Sequence, residues 1–144
     1  SARCIGMLIQ LGYTPKSDPI RRGVEYLRQE QEDDGSWFGR WGTNYVYGTW
    51  SALCALQAAG EDMNAPYIRK AVGWLTSRQR PDGGWGEDGK SYYSGYENMA
   101  KHSTPSQTSW AIMGLVAAGQ IDSVQVKKGV KYLLQKDLKW EQEY

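Results

Sequence analysis

The stretch Leu27-Arg-Gln-Glu-Gln31-Glu-Asp-Asp-Gly35-Ser-Trp37 returns as Leu75-Thr-Ser-Arg-Gln79-Arg-Pro-Asp-Gly83-Gly-Trp85, with Leu, Gln, Gly and Trp each recurring 48 positions later. A fixed interval of this length marks repetition of one supersecondary unit. Ahead of the two tracts, Ile20, Val24, Leu27 and Ile68, Val72, Leu75 form an apolar stripe at helical spacing, and Val126, Val130, Leu133 form it a third time. Arg21, Arg22, Glu25 and Arg28, then Arg69, Lys70 and Arg78, then Lys127, Lys128 and Lys131 occupy the other faces. Three outer helices with one side in water are expected.

Two other segments, Thr49 to Gly60 and Thr108 to Gly119, carry no charged residue, and the opening Ser1 to Gly12 aligns with them. A helix apolar all round is expected to be buried all round, which makes these three the inner helices. Gly12, Gly60 and Gly119 fall where a left-handed helix stop belongs. Pro19, Pro66 and Pro105 sit in first-turn positions, and Asp34-Gly35 and Asp82-Gly83-Gly84 mark turns. Asp33-Asp34 is read as part of such a solvated turn and not as a metal-binding aspartate pair. No segment alternates convincingly as a strand. The one long connection, Gly86 to Thr104, contains Tyr92, Tyr93, Tyr96 and the only histidine, His102, which is read as a loop residue.

Composition limits the partners. With 40% hydrophobic and 23% charged residues and a net charge of +1, the chain offers no electrostatic footprint for nucleic acid. It has no apolar run long enough to span a bilayer and no secretory leader pattern, and a soluble chain is expected. Cys4 and Cys54 lie outside any ligand-like spacing and are expected to be reduced, buried thiols of a cytosolic protein. Seven Trp and ten Tyr against a single Phe are the compositional outlier. Such rings suit repeat packing or a pocket for something cationic. A start at Ser1, already in helical pattern, fits a piece of a larger protein.

The doubled tract, the segment Gly35-Ser-Trp-Phe-Gly-Arg-Trp-Gly-Thr-Asn-Tyr-Val-Tyr-Gly-Thr-Trp50, and Asp82-Gly-Gly-Trp-Gly-Glu87 followed by Ser106-Gln-Thr-Ser-Trp110 resemble squalene-hopene cyclase, within the wider squalene and oxidosqualene cyclase family. The resemblance covers the chain to about Lys131. It implies an all-α fold of repeated inner/outer helix hairpins, a partial α/α-barrel (toroid) from the C-terminal side of the catalytic domain. One partial-barrel domain over 1–144 is expected, with repeats at about 1–37, 48–85 and 105–140.

The resemblance also implies the chemistry. A carboxylic acid protonates a terminal alkene of squalene, and the carbocation propagates through ring closures to a hopene-type pentacycle with no metal and no cofactor. A carbon cation has no hydrogen-bonding partner, so its stabilisation must come from aromatic faces fixed in advance along a dry cavity. The acid of the family belongs to an Asp-x-Asp-Asp motif that is missing from these residues, so it is expected upstream of Ser1 and the isolated piece is expected to be inactive. The implied partners are a squalene-like isoprenoid, the remainder of the cyclase chain and, through parts outside this segment, the cytoplasmic face of a membrane.

By the same resemblance Tyr47 matches a tyrosine near the catalytic acid, where its hydroxyl can orient and tune a carboxyl group. Trp41 matches an aromatic of the substrate cavity, and Tyr45 is grouped with it as substrate-binding; packing of the turn between an outer and an inner helix is the competing reading for all three. Arg3 stands where some members place a histidine beside the acid. Gln31, Trp37, Gln79 and Trp85 are read as structural: each Gln meets orphan backbone groups at an outer helix end, and each Trp stacks in the following turn. Ser103 has no evident acid partner, so a hydrolytic triad has no support. The third tract departs from the pattern, since Leu133 to Trp140 spans 7 positions instead of 10, Leu138 replaces the Gly and the Gln falls at Gln135.

Three function classes stay open on these residues. They are a piece of a membrane-associated triterpene cyclase, another α/α-toroid enzyme such as a protein prenyltransferase subunit, and a non-catalytic toroid domain used for binding or interaction. The second needs a zinc-binding Asp/Cys/His set that one His and two isolated Cys do not offer. A partial barrel also leaves inner-helix surface wet. At roughly 25 cal/mol per Å², a few hundred Å² costs several kcal/mol, so self-association is expected.

Overall fold

The computed structural model of the chain describes residues 1–94 and 102–135. These residues form seven helices: α1 (Ala2–Gln10), α2 (Asp18–Gln29), α3 (Tyr45–Ala58), α4 (Pro66–Ser77), α5 (Ser91–Ser94), α6 (Pro105–Ala117) and α7 (Val124–Leu133). No strand occurs among them, only the isolated bridges Gln31–Trp37 and Trp85–Thr104. The fold is all-α, as expected. Helices α1, α3 and α6 lie side by side in that order, while α2 packs on α1, α4 on α3 and α6, and α7 on α6. The one-turn α5 falls within the long connection from Gly86 to Thr104, where the sequence suggested no helix.

Local chemistry explains most boundaries. Pro19, Pro66 and Pro105 stand in the first turns of α2, α4 and α6, where a missing N–H costs nothing. Gly12, Gly60 and Gly119 take φ of +90°, +77° and +75° and end the three inner helices. After each, the next amide turns back to the helix: Tyr13 to the Leu8 carbonyl, Glu61 to Leu56 and Gln120 to Leu115. Orphan carbonyls are thereby satisfied by a left-handed stop.

The two tracts close in the same way. Gln31 donates through Nε2 to the carbonyls of Gly35 (2.8 Å) and Tyr67 (2.9 Å), and Gln79 donates to those of Gly83 (2.9 Å) and Gln125 (2.8 Å). Tyr67 and Gln125 belong to the first turns of α4 and α7, so each glutamine ties its own turn to the next outer helix. The orphan carbonyl at the outer helix end goes instead to the indole, Trp37 Nε1 to Leu27 at 2.7 Å and Trp85 Nε1 to Leu75 at 2.8 Å. The same two tryptophans donate their amides to Thr49 and Thr108 hydroxyls on the inner helices. Asp34 and Asp82 brace the turns by accepting from the amides of Ser36 and Gly84.

One core holds both layers together, with Ile5, Ile20, Leu27, Trp37, Leu53, Leu56, Ile68, Leu75, Trp85 and Leu115 all buried. Four sequence expectations need correction. The inner helices are not buried all round: α1 buries only Ile5, and Met7, Met113 and Val116 are 52%, 43% and 38% exposed, because nothing among the described residues covers that face. Cys4 is exposed and Cys54 half-buried, Cys4 because it stands on the side of α1 turned away from α2 and α3; both are free thiols. In α7 the buried set is Val126, Gly129 and Tyr132, with Val130 exposed: Gly129 lets the helix lie close on Ile112 and Trp85, and the Tyr132 hydroxyl donates to the Ser103 carbonyl at 2.9 Å. Ser103 does have an acid partner, Asp82 at 2.8 Å, but that carboxylate is the turn brace already described. Leu138, Trp140 and Tyr96 lie outside the described residues.

Candidate functional site

The segment between Trp37 and α3 carries the aromatic residues singled out above. Its path is set by close backbone packing: a Cβ on Gly48 would run into the Trp37 carbonyl, and one on Gly39 into the Asn44 carbonyl. Asn44 is fully buried and accepts from the Gly39 amide at 3.1 Å. Helix α3 starts at Tyr45, four residues ahead of the sequence expectation, and its opening amides explain why. Tyr45 and Val46 donate to the two oxygens of one carboxylate, Glu87, at 3.0 and 2.9 Å. An acid at a helix N-terminus satisfies orphan donors and complements the helix dipole. Here it comes from the next repeat.

Helical geometry then separates the two tyrosines. Residues two apart on an α-helix point about 200° apart, so Tyr45 and Tyr47 cannot share a face. Tyr45 packs edge-on against Phe38, at a centroid distance of 5.9 Å, and Phe38 meets Tyr92 in the same manner at 5.9 Å. Tyr47 turns to the other side, edge-on to Trp50 at 5.5 Å and to Trp110 of α6 at 5.3 Å. Trp50 and Trp110 are nearly parallel, 8° between planes and 5.6 Å between centroids. The Arg3 guanidinium lies over Trp50, 5.2 Å from its centroid.

Tyr47 and Trp41 both line an open cleft of about 360 Å³, together with Arg3, Tyr26, Trp37 and Ser51. Tyr45 is not part of that lining. Trp41 is 70% exposed, and the Arg40 guanidinium covers one of its faces at 5.7 Å. Three cation-facing or edge-facing rings, Tyr47, Trp50 and Trp110, thus form one cluster across α3 and α6. Gln31, Gln79 and Trp85 are not part of that cleft's lining and sit in the tract turns, whereas Trp37, also a tract residue, lines the cleft beside Tyr47. His102 is an exposed bend residue.

Glu87 was not singled out in the sequence, and it is the one fully buried acid of the described residues. Burial pushes its carboxyl up to about 7, against the pull of the Val46 and Tyr45 amides, the Ser91 side chain and the Arg78 charge. Gln107 of α6 grips its backbone from both sides, receiving the Glu87 amide and donating to the Glu87 carbonyl at 2.8 Å. A signal was available. Aligning Trp37 with Trp85 and Thr49 with Thr108 sets Gly39 against Glu87 and Gly48 against Gln107, a pair of glycines exchanged for a polar pair. Tyr92 adds a second hold on the segment, its hydroxyl 3.2 and 3.1 Å from the carbonyls of Gly39 and Arg40.

Comparison with known proteins places the sequence. The sequence profile described as the squalene-hopene cyclase C-terminal domain matches residues 1–144. A probable squalene–hopene cyclase of Sinorhizobium fredii is 56% identical over 137 residues, covering 92% of this chain and 21% of the relative. The squalene–hopene cyclase of Bradyrhizobium diazoefficiens is 54% identical over 138 residues, covering 93% and 21%. Human lanosterol synthase is 37% identical over 133 residues, covering 88% and 18%. The chain therefore spans about a fifth of the length of these relatives. With the profile matched from end to end and the doubled tract built as a repeating hydrogen-bonded turn, this chain belongs to the squalene-hopene cyclase family.

Proposed function

We propose that this chain is part of a triterpene cyclase that converts squalene to hopene-type pentacycles through a proton-initiated carbocation cascade. The observation that carries the proposal is the cluster of Tyr47, Trp50 and Trp110, whose Tyr47 opens onto the cleft that also holds Trp41. Tyr47 alone of the three rings lines this cleft; held by its edge contacts with Trp50 and Trp110, it can offer a π-face to a passing cation without reorganising, worth roughly 0.5 to 2 kcal/mol when desolvated. Tyr47 is assigned the role of orienting the carboxyl group that donates the first proton, Trp41 that of cavity wall, and the tract residues that of scaffold. Tyr45 keeps a place in this reading only as support, through Phe38, for the segment that bears Trp41. The proton donor itself lies in an Asp-x-Asp-Asp motif elsewhere in the cyclase, which as a whole works at the cytoplasmic face of a membrane.

The test is a cyclisation assay with squalene, comparing a cyclase chain of full family length that contains this segment with the segment alone. Polycyclic hydrocarbon from the longer chain only, reduced at least about tenfold by Tyr47→Ala and Trp41→Ala, is the expected result. Product from the segment alone would place the acid within these residues. No product from either would turn the reading toward a binding domain.

A further inference from the structure

We propose that Glu87 is a positioning residue for the cyclase site: by capping the first turn of α3 from the neighbouring repeat, it fixes the helix that presents Tyr47. The inference rests on the cyclase reading given above and deepens it. Helix α3 has no cap of its own, since the Asn44 side chain bonds to Gly39 and not to the α3 amides. Its Tyr45 and Val46 amides end on Glu87, whose place is set by Gln107 of α6. Trp110, one turn further along α6, is the ring that Tyr47 abuts at 5.3 Å. Tyr47 is therefore registered against α6 twice, by its ring directly and by its backbone through Glu87 and Gln107. Tyr92 holds the preceding segment, with Trp41, by the Gly39 and Arg40 carbonyls.

The carboxylate can accept from both amides at once, whereas the protonated acid offers one oxygen as a donor and keeps a single good acceptor. The groups facing Glu87 are the amides of α3, Ser91 and Tyr92 of α5, Gln107 of α6 and the Arg78 charge at the end of α4. With burial holding the acid up to about 7, the grip on α3 changes near neutral pH.

Two readouts test the proposal. In ¹⁵N–¹H spectra of this chain between about pH 5 and 9, a range that brackets the acid, the Tyr45 and Val46 amides should shift together with a midpoint near 7, and Glu87→Gln should abolish that titration. Amides that stay still in the wild type overturn the cap. In a full-length cyclase carrying the segment, Glu87→Gln should lower kcat about tenfold with KM within about twofold, the signature of a misplaced group and not of lost substrate binding. The ratio of wild-type to variant kcat should rise with pH around 7, and Tyr92→Phe should lower kcat in the same direction without that pH dependence. Equal kcat in wild type and Glu87→Gln, or a ratio independent of pH, overturns the positioning role. A wild-type enzyme that makes no polycyclic product sinks the cyclase reading instead, while the amide titration still decides the cap.

Discussion

Replacing Glu87 by Gln exchanges a buried carboxyl for a neutral side chain of nearly the same shape, and the cost or gain must depend on pH. The folded-state acid sits at about 7 against an ordinary value of 4.5, so the folded chain holds this proton more tightly than the unfolded chain does. The contribution of the neutral acid to stability is complete below pH 4.5 and is lost as pH rises through 7. A difference of about 2.5 pH units at 1.36 kcal/mol per unit gives about 3 kcal/mol, a sizeable share of a total stability of roughly 5–15. Glutamine does not titrate, so the variant lacks this slope. Urea unfolding of both chains, followed by tryptophan fluorescence at several values from about pH 4.5 to 8.5, isolates the effect as a difference. The variant should gain about 3 kcal/mol on the wild type across that range, whatever fixed offset the amide introduces at low pH. A difference that stays flat within about 0.5 kcal/mol would refute the claim that burial outweighs the two capping amides.

Gly83→Ala should destabilise by more than about 2 kcal/mol, because φ is +91° and the new Cβ meets the Lys128 carbonyl, whereas Gly119→Ala, at φ +75° in open space, should cost only about 1. Equal losses by thermal unfolding would contradict the close approach of the turn to α7. Gln79→Ala removes two hydrogen bonds and should cost about 1–3 kcal/mol in urea; a change under about 0.5 would leave the link from turn to α7 without energetic content. The wet face bearing Met7, Met113 and Val116 should drive concentration-dependent self-association in sedimentation, weakened by Met113→Glu. A monodisperse monomer at high concentration would count against it.

What was legible in the sequence was local. The stops at Gly12, Gly60 and Gly119 and the starts at Pro19, Pro66 and Pro105 depend on backbone preferences within one turn, and all six stand where the residues put them. Gln31 and Gln79 could be recognised as paired features from their interval, but the carbonyls they reach, on Tyr67 and Gln125, are 36 and 46 residues away. Glu87 escaped notice for the same reason: its partners lie 41 and 42 positions back, and its burial is a property of packing. With the start of α3 misplaced at Thr49, the opposite directions of Tyr45 and Tyr47 could not be worked out either. That a partial barrel leaves inner-helix surface wet could be expected, but not that Met7, Met113 and Val116 would be the residues left exposed, because an apolar helix says that it wants cover without saying which of its residues receive it.

The glutamine links run in one direction only, from each tract turn to the first turn of the outer helix that follows. Side-chain bonds of this kind make the chain a series of nearest-neighbour couplings, in which each unit orders, and is ordered by, the one beside it. Gln31 ties its turn to α4 and Gln79 to α7, so the two otherwise equivalent residues differ in which helix they hold. The identical chemistry of the two turns thus gives the protein a polarity that neither turn has by itself.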